Sequence, residues 1–307
     1  MPITETRLIW RNGEMIPWAD ATVHVLTHGL HYGTAVFEGV RAYDTKHKGV
    51  CVFRNLEHME RLLYSARVYD IDINYSVDEI MKATREVVSE NDLTSAYIRP
   101  VAYLGYGEMG PGSPNVPSEL AIAAFPWGAY LGDEGLKNGI DVAVSSWRRS
   151  APGTIPAGVK AAGNYLSSRL VSLEAKKNGF AEGIGLAHDG TLSEGAGENL
   201  FIIKNGRLIT PPAASAILSG ITRDTVITLA KKLGFEVIEQ ALPREILYGA
   251  DEAFFTGTAA EVTPIRSVDR LNVGSGDRPI TSAIQKAFFG LFSGETDDEW
   301  DWLDPVR

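Results

Sequence analysis

Lys160 is the residue of this 307-residue chain whose setting first suggests chemistry. From Ser150 to Ser168, in SAPGTIPAGVKAAGNYLSS, it is the one ionisable side chain apart from Tyr165, set among Ala, Gly and Pro. An ammonium in apolar surroundings loses solvation, its pKa falls, and the neutral amine becomes a nucleophile able to form a Schiff base. A lysine on a flexible surface loop would give the same letters. In Thr191–Phe201, TLSEGAGENLF, Glu194 and Glu198 sit around two glycines. Glycines let the backbone pass close to a flat ligand, and a carboxylate beside a pyridine nitrogen would keep that nitrogen protonated. A polar turn between strands is the plainer alternative. Leu218-Ser219-Gly220-Ile221-Thr222-Arg223 leads into a helix expected over Thr222–Leu233, whose N-terminus could hold a phosphate. Ordinary capping by Ser219 or Thr222 explains those residues equally, and the turn Thr256-Gly257-Thr258-Ala259-Ala260 is the candidate partner that would favour phosphate.

Other matches carry less. Gly105-Tyr106-Gly107-Glu108-Met109-Gly110 satisfies G-x-G-x-x-G, but Pro111, Pro114 and Pro117 deny it the helix that would hold a pyrophosphate. His24, His28 and His31 lack helical ligand spacing and a nearby carboxylate, so they read as core or turn residues, and no metal site is expected. Arg41, Arg61 and Arg99 lie on expected core elements, either as paired or snorkelling side chains or as forks for phosphate or carboxylate. Tyr32, Phe37, Tyr97, Tyr103, Tyr106, Trp127 and Tyr130 make the first part of the chain aromatic, mostly as core, with some able to line an apolar pocket.

The elements that must position these groups follow from pattern. Asn12-Gly13 and Asn205-Gly206 mark hairpin turns. Asn55 is a candidate N-cap for a helix burying Met59, Leu62, Leu63 and Ala66, and Ser76-Val77-Asp78-Glu79 is a capping box for a second helix burying Ile80, Met81, Thr84, Val87 and Val88. Strands are expected at Ala96–Tyr103, Leu120–Ala124 and from Ile140, and helices at Tyr165–Lys177 and around Ile284–Leu291. Trp300 and Trp302 suggest that the acidic tail docks. The Gly- and Pro-rich stretch before Gly139 divides the chain into a small domain at 1–125, a connection at 126–139 and a large domain at 140–307.

Composition bounds the partners. With 29 Lys+Arg against 39 Asp+Glu and no basic patch, the chain repels nucleic acid and anionic membranes, and no apolar run is long enough to span a bilayer. One cysteine excludes an intramolecular disulfide framework and fits a cytoplasmic, reducing compartment. A small-molecule substrate is the expectation.

Taken in order, HYGTAVFEGVRAY (31–43), HMERL (58–62), AYIRP (96–100), AAFPWGAYLG (123–132), KAAGNYLSS (160–168), SEGAGENLF (193–201), LSGITRD (218–224) and GTAAEVTPIRSVD (257–269) resemble the bacterial branched-chain amino-acid aminotransferases, pyridoxal-phosphate enzymes of fold type IV. The likeness runs through nearly the whole chain. It implies an α/β (α+β) fold with a small N-terminal domain and a larger C-terminal domain holding a barrel-like sheet, with pyridoxal 5′-phosphate in the cleft. By motif, Lys160 would carry the cofactor and move the proton, and Glu194 would pair with its ring nitrogen. Arg61, Leu218, Ile221, Thr222 and Thr258 would hold the cofactor and its phosphate, and Tyr165 its phenolic oxygen. Tyr32, Phe37, Gly39, Tyr97, Arg99, Tyr130, Thr258 and Ala259 would line the substrate site. The resemblance further implies ping-pong exchange between branched-chain L-amino acids and 2-oxoglutarate, and a homodimer or hexamer. Within the fold, a D-amino-acid aminotransferase is the rival, disfavoured because Arg99-Pro100-Val101 has valine where that activity commonly places histidine. A 4-amino-4-deoxychorismate lyase and a non-catalytic binding homologue are further alternatives.

Overall fold

The structure, a computed structural model, describes residues 3–128 and 131–307. The chain forms two compact units: residues 1–127, 159–163 and 292–307 make the first, and 128–158 and 164–291 the second. The expected linear division is therefore crossed twice. The segment around Lys160 and the C-terminal tail both belong to the first unit.

In the first unit, Asn12-Gly13 takes positive φ and joins β1 (Leu8–Arg11) to β2 (Glu14–Pro17) as a hairpin. Then come α1 (His28–Tyr32), β3 (Ala35–Phe37), β4 (Val40–Thr45), β5 (Gly49–Phe53), α2 (Asn55–Val68), α3 (Val77–Glu90), β6 (Ala96–Leu104) and β7 (Ser118–Phe125). The sheet is antiparallel in the order β5-β4-β6-β7-β1-β2, with β3 on β6 and the C-terminal strand Leu303–Pro305 added outside β5. Trp302 is buried beneath Arg54, so the acidic tail docks. Helices α2 and α3 cover one face. Met59, Leu62 and Ala66 of α2 and Ile80, Val87 and Val88 of α3 share a core with Val40, Ala42, Ile98, Ala102, Ile122 and Ala124, each fully buried large side chain contributing about 1.5–3 kcal/mol. The capping box of α3 forms as expected. The N-cap expected at Asn55 does not form: Arg54 takes the cap position in a left-handed conformation, and Asn55 is the first helical residue. Asn55 Nδ2 instead donates to Met81 O at 3.2 Å and Asp304 Oδ2 at 2.8 Å, and its Oδ1, the atom a cap would use, has no hydrogen-bond partner among the described residues.

In the second unit the elements are α4 (Asp133–Asn138), β8 (Ile140–Arg148), α5 (Tyr165–Lys177), β9 (Glu182–Leu186), β10 (Leu192–Gly195), β11 (Asn199–Lys204), β12 (Arg207–Thr210), α6 (Ile221–Lys232), β13 (Val237–Glu239), β14 (Glu252–Gly257), β15 (Glu261–Val268), β16 (Leu271–Asn272) and α7 (Pro279–Ser293). The sheet runs β10-β9-β8-β15-β14-β11-β12-β13, mixed parallel and antiparallel, and curls into a half-barrel. Its core is apolar, with Ile184, Leu192, Leu200, Ile202, Phe255 and Ile265. No helix among the described residues is long and apolar enough to cross a membrane.

Candidate active site

The pleat of the first sheet sorts the candidate residues. Successive side chains of a strand point to opposite faces. Ile98 and Ala102 of β6 enter the helix-covered core, and Val36 of β3 does the same. Tyr97, Arg99 and Phe37 therefore take the other face. There the Arg99 guanidinium donates to Tyr97 Oη at 3.0 Å and lies over the Phe37 ring at 4.6 Å. Lys160 Nζ is 5.0 Å from the centre of that same ring. The structure thus gathers Lys160, Phe37, Tyr97 and Arg99 around one aromatic side chain. Gly39 belongs with them for a steric reason: a Cβ there would overlap the Tyr97 hydroxyl.

Lys160 is held through its main chain. Its carbonyl accepts from Phe37 N–H at 3.1 Å and its N–H donates to Ser65 Oγ at 3.2 Å. The next residue, Ala161, bridges to Val36. These bonds explain why 159–163 joins the first unit. Arg61 on α2 is forked onto Glu38, Nε to Oε1 at 2.7 Å and Nη2 to Oε2 at 2.9 Å.

Tyr32 is not gathered with this group. It ends α1 with its ring packed on His28 at 4.5 Å and is 40 % exposed. His28 uses both ring nitrogens, on Thr34 Oγ1 and Gly110 O, as a core histidine does. Tyr130 lies outside the described residues.

In the second unit the centre is Glu194. Arg149 Nη2 reaches its Oε1 at 2.7 Å, while Asn199 Nδ2 and Leu218 N–H both donate to Oε2 at 3.0 Å. Arg149 is itself buried, and its Nη1 donates to Ser168 Oγ at 3.2 Å. Three donors from three separate segments thus aim one carboxylate. Helix α6 starts beside this group. Its cap residue is Gly220, which has no side chain to cap with, so neither Ser219 nor Thr222 occupies the cap position itself. A Cβ on Gly220 would overlap Asn199 Oδ1, so this glycine keeps the space for the residue that orients Glu194. Thr222 is buried at the helix start, and the turn carrying Thr258 and Ala259 follows β14. Thr256, fully buried near the end of β14, has a hydroxyl with no hydrogen-bond partner among the described residues. A helix N-terminus whose cap residue is a glycine, an oriented carboxylate and an orphaned hydroxyl fit a ligand carrying both a phosphate and a protonated ring nitrogen.

Glu198, the other carboxylate of that motif, plays a different part. It is buried, accepts from Gly197 N–H at 3.0 Å, and burial together with the Glu182 charge pushes its carboxyl up to about 8. Since the folded pKa lies above the ordinary value of 4.5, stability from this group is complete below about pH 4.5 and declines as pH rises through about 8. Glu198→Gln is expected to raise the unfolding temperature by several degrees at pH 9, with the gain vanishing towards pH 5. Calorimetry across that range checks it, and a pH-independent difference would contradict it.

Residues that sequence reasoning did not single out include Arg149, Asn199, Glu38 and His58. Asn199 lay within the quoted motif beside Glu198. Arg149 had no local signal, because its partner is 45 residues away on another strand.

Comparison with known proteins identifies what the chain as a whole is similar to. The sequence profile of the family described as amino-transferase class IV matches residues 35–268. The branched-chain-amino-acid aminotransferase of Escherichia coli (strain K12) is 59% identical over 301 residues, covering 97% of this chain and 97% of that protein. A crystal structure of the E. coli branched-chain amino acid aminotransferase superposes with a TM-score of 0.97 at 58% identity, covering 99% of this chain and 100% of that one. A branched-chain amino acid aminotransferase from T.th., complexed with N-(5′-phosphopyridoxyl)-L-glutamate, gives a TM-score of 0.92 at 39% identity, covering 99% of each chain.

Proposed function

Because the chain belongs to the class IV aminotransferase family, we propose that it transfers the amino group of branched-chain L-amino acids to 2-oxoglutarate with pyridoxal 5′-phosphate as cofactor. The transaminase activity itself follows from family membership and from the near-complete match to the E. coli relative. The cofactor and glutamate are supported by the relative solved with a phosphopyridoxyl-glutamate adduct. The single observation that carries the reading is the carboxylate of Glu194, oriented by Arg149, Asn199 and Leu218 beside the start of α6 at Gly220.

When bound, pyridoxal phosphate supplies an electron sink for the pair left at the amino acid's Cα when its proton departs. In this reading the Lys160 amine anchors the cofactor, takes that proton and returns it as acid on the other side of the exchange. Glu194 would accept from the cofactor's ring nitrogen, and its charge would favour the protonated form. Arg61, Ile221, Thr222 and Thr258 would hold the phosphate, with Leu218 alongside, and Tyr165 would donate to the phenolic oxygen. Phe37, Gly39, Tyr97 and Arg99 would form the substrate side, with Ala259 contributed from the turn after β14. An apolar ring beside an arginine suits a pocket that must take leucine's side chain in one half-reaction and glutamate's distal carboxylate in the other. A cytoplasmic homodimer or hexamer completes the proposal.

A donor panel tests it. L-Leu, L-Ile and L-Val, each with 2-oxoglutarate, are expected to give glutamate at comparable rates, and D-Ala at least about 100-fold more slowly, the scale on which a missing set of fitted contacts discriminates. Glutamate from D-Ala but not L-Leu would assign the chain to the D-specific branch of the fold instead.

A further inference from the structure

Glu38 is a carboxylate with no exposed surface, and nothing in the roles proposed above uses it. It sits between Phe37 and Gly39, where β3 gives way to β4, and its main-chain N–H donates to Pro100 O at 2.8 Å, tying this junction to β6. Its Oε1 takes Arg61 Nε at 2.7 Å, and its Oε2 takes Arg61 Nη2 at 2.9 Å and His58 Nδ1 at 2.7 Å. Burial alone would push this carboxyl up, but the Arg61 charge and the His58 ring outweigh it and hold Glu38 far below the usual carboxylate range. Burial pushes His58 down, so the ring is neutral and donates Nδ1–H to the carboxylate.

The helix partners are spaced for this. His58, Arg61 and Ser65 lie three and four residues apart on α2, hence on one stripe of its surface. Two of them hold Glu38, and the third, Ser65, holds the Lys160 N–H. On the other side Phe37 N–H holds the Lys160 carbonyl. The main chain of Lys160 is therefore clamped between the α2 stripe and the segment 37–39, and Glu38 is the group that ties stripe to segment.

We propose that Glu38, backed by His58, is a positioning residue that fixes the Arg61 guanidinium and the Lys160 main chain as one rigid assembly. This rests on the function proposed above only in reading Arg61 as a phosphate ligand and Lys160 as the base. A buried fork of this kind fixes the plane of the guanidinium and so the directions in which all its N–H groups point. Lys160 meanwhile keeps its place through bonds that depend on the same two elements staying in register. One carboxylate thus couples cofactor grip to placement of the amine.

The test compares wild-type holoenzyme with Glu38→Gln and, as a milder change that leaves the Arg61 fork in place, His58→Gln. In Glu38→Gln the cofactor dissociation constant is expected to rise at least tenfold and kcat at saturating cofactor to fall at least tenfold. The KM for L-leucine is expected to stay within threefold, and amide hydrogen exchange at Phe37 and Lys160 to become faster. His58→Gln should move the same quantities in the same direction by a few-fold, and it carries the test if Glu38→Gln does not fold. A merely structural residue would lower the unfolding temperature and leave the constants of the folded protein unmoved. Cofactor affinity and Lys160 exchange both within twofold of wild type, in either variant that folds, would overturn the proposal. Failure of the functional reading would show separately, as a wild type that does not transaminate, whereas the exchange measurement does not depend on turnover.

Discussion

Lys160→Ala is expected to abolish turnover, by at least about 10⁴-fold, while leaving the fold intact. The size follows from two losses at once, the covalent anchor and the general base, of which the second alone contributes about 10²–10⁴-fold in enzymes of this kind. The intact fold follows from the geometry: both bonds that seat residue 160, to Phe37 N–H and Ser65 Oγ, are made by its main chain, and alanine keeps them. The side chain approaches the Phe37 ring at 5.0 Å, a contact of modest worth for a partly exposed cation. Steady-state rates with L-leucine and an unfolding curve check the two halves. Residual activity above about 1% of wild type would move the nucleophile to another lysine.

The second large effect is expected at Glu194. Glu194→Gln preserves shape but removes the charge facing Arg149 and places an amide where Asn199 and Leu218 present donors. A donor would then face donors, and the buried Arg149 would lose its counter-charge, which is costly where water cannot compensate. The expected fall in kcat is on the order of 10²–10³-fold, the range seen when one preorganised electrostatic partner is lost. The pH dependence of the bound cofactor's visible absorption should move with it, because the charge beside the ring nitrogen has gone. An unchanged spectrum with an unchanged kcat would mean that Glu194 serves Arg149 alone.

Much of this site was legible from the letters because its parts are local. Lys160 stood out as a lone cation among small residues, Gly220 and the helix after it read as an anion site, and the β6 segment AYIRP carried Tyr97 and Arg99 with the alternation that puts both on one face. Those inferences need only neighbours along the chain. The parts that escaped are pairings across long separations: Arg149 with Glu194, Glu38 with His58 and Arg61, and Ser65 with Lys160. No local pattern encodes which strand meets which helix. The same limit explains the misplaced cap at Asn55, whose amide prefers Asp304, 249 residues away. It also explains the division of the chain, since one short segment at 159–163 follows its hydrogen bonds into the first unit rather than its sequence neighbours into the second. Glu194 and Glu198 show the converse. Four residues apart in one motif, they are read by composition as equivalent, yet one meets an arginine and the other a second buried carboxyl.

The most direct test of the account is the half-reaction. Protein loaded with pyridoxal phosphate and freed of excess cofactor is mixed with L-leucine in the absence of any 2-oxo acid, and the released keto product is counted. Transfer through a single lysine-anchored cofactor requires about one equivalent of 4-methyl-2-oxopentanoate per bound cofactor, none from the Lys160→Ala protein, and regeneration of the starting absorption when 2-oxoglutarate is added. No keto product from L-leucine, or product that forms equally in the Lys160→Ala protein, would contradict it.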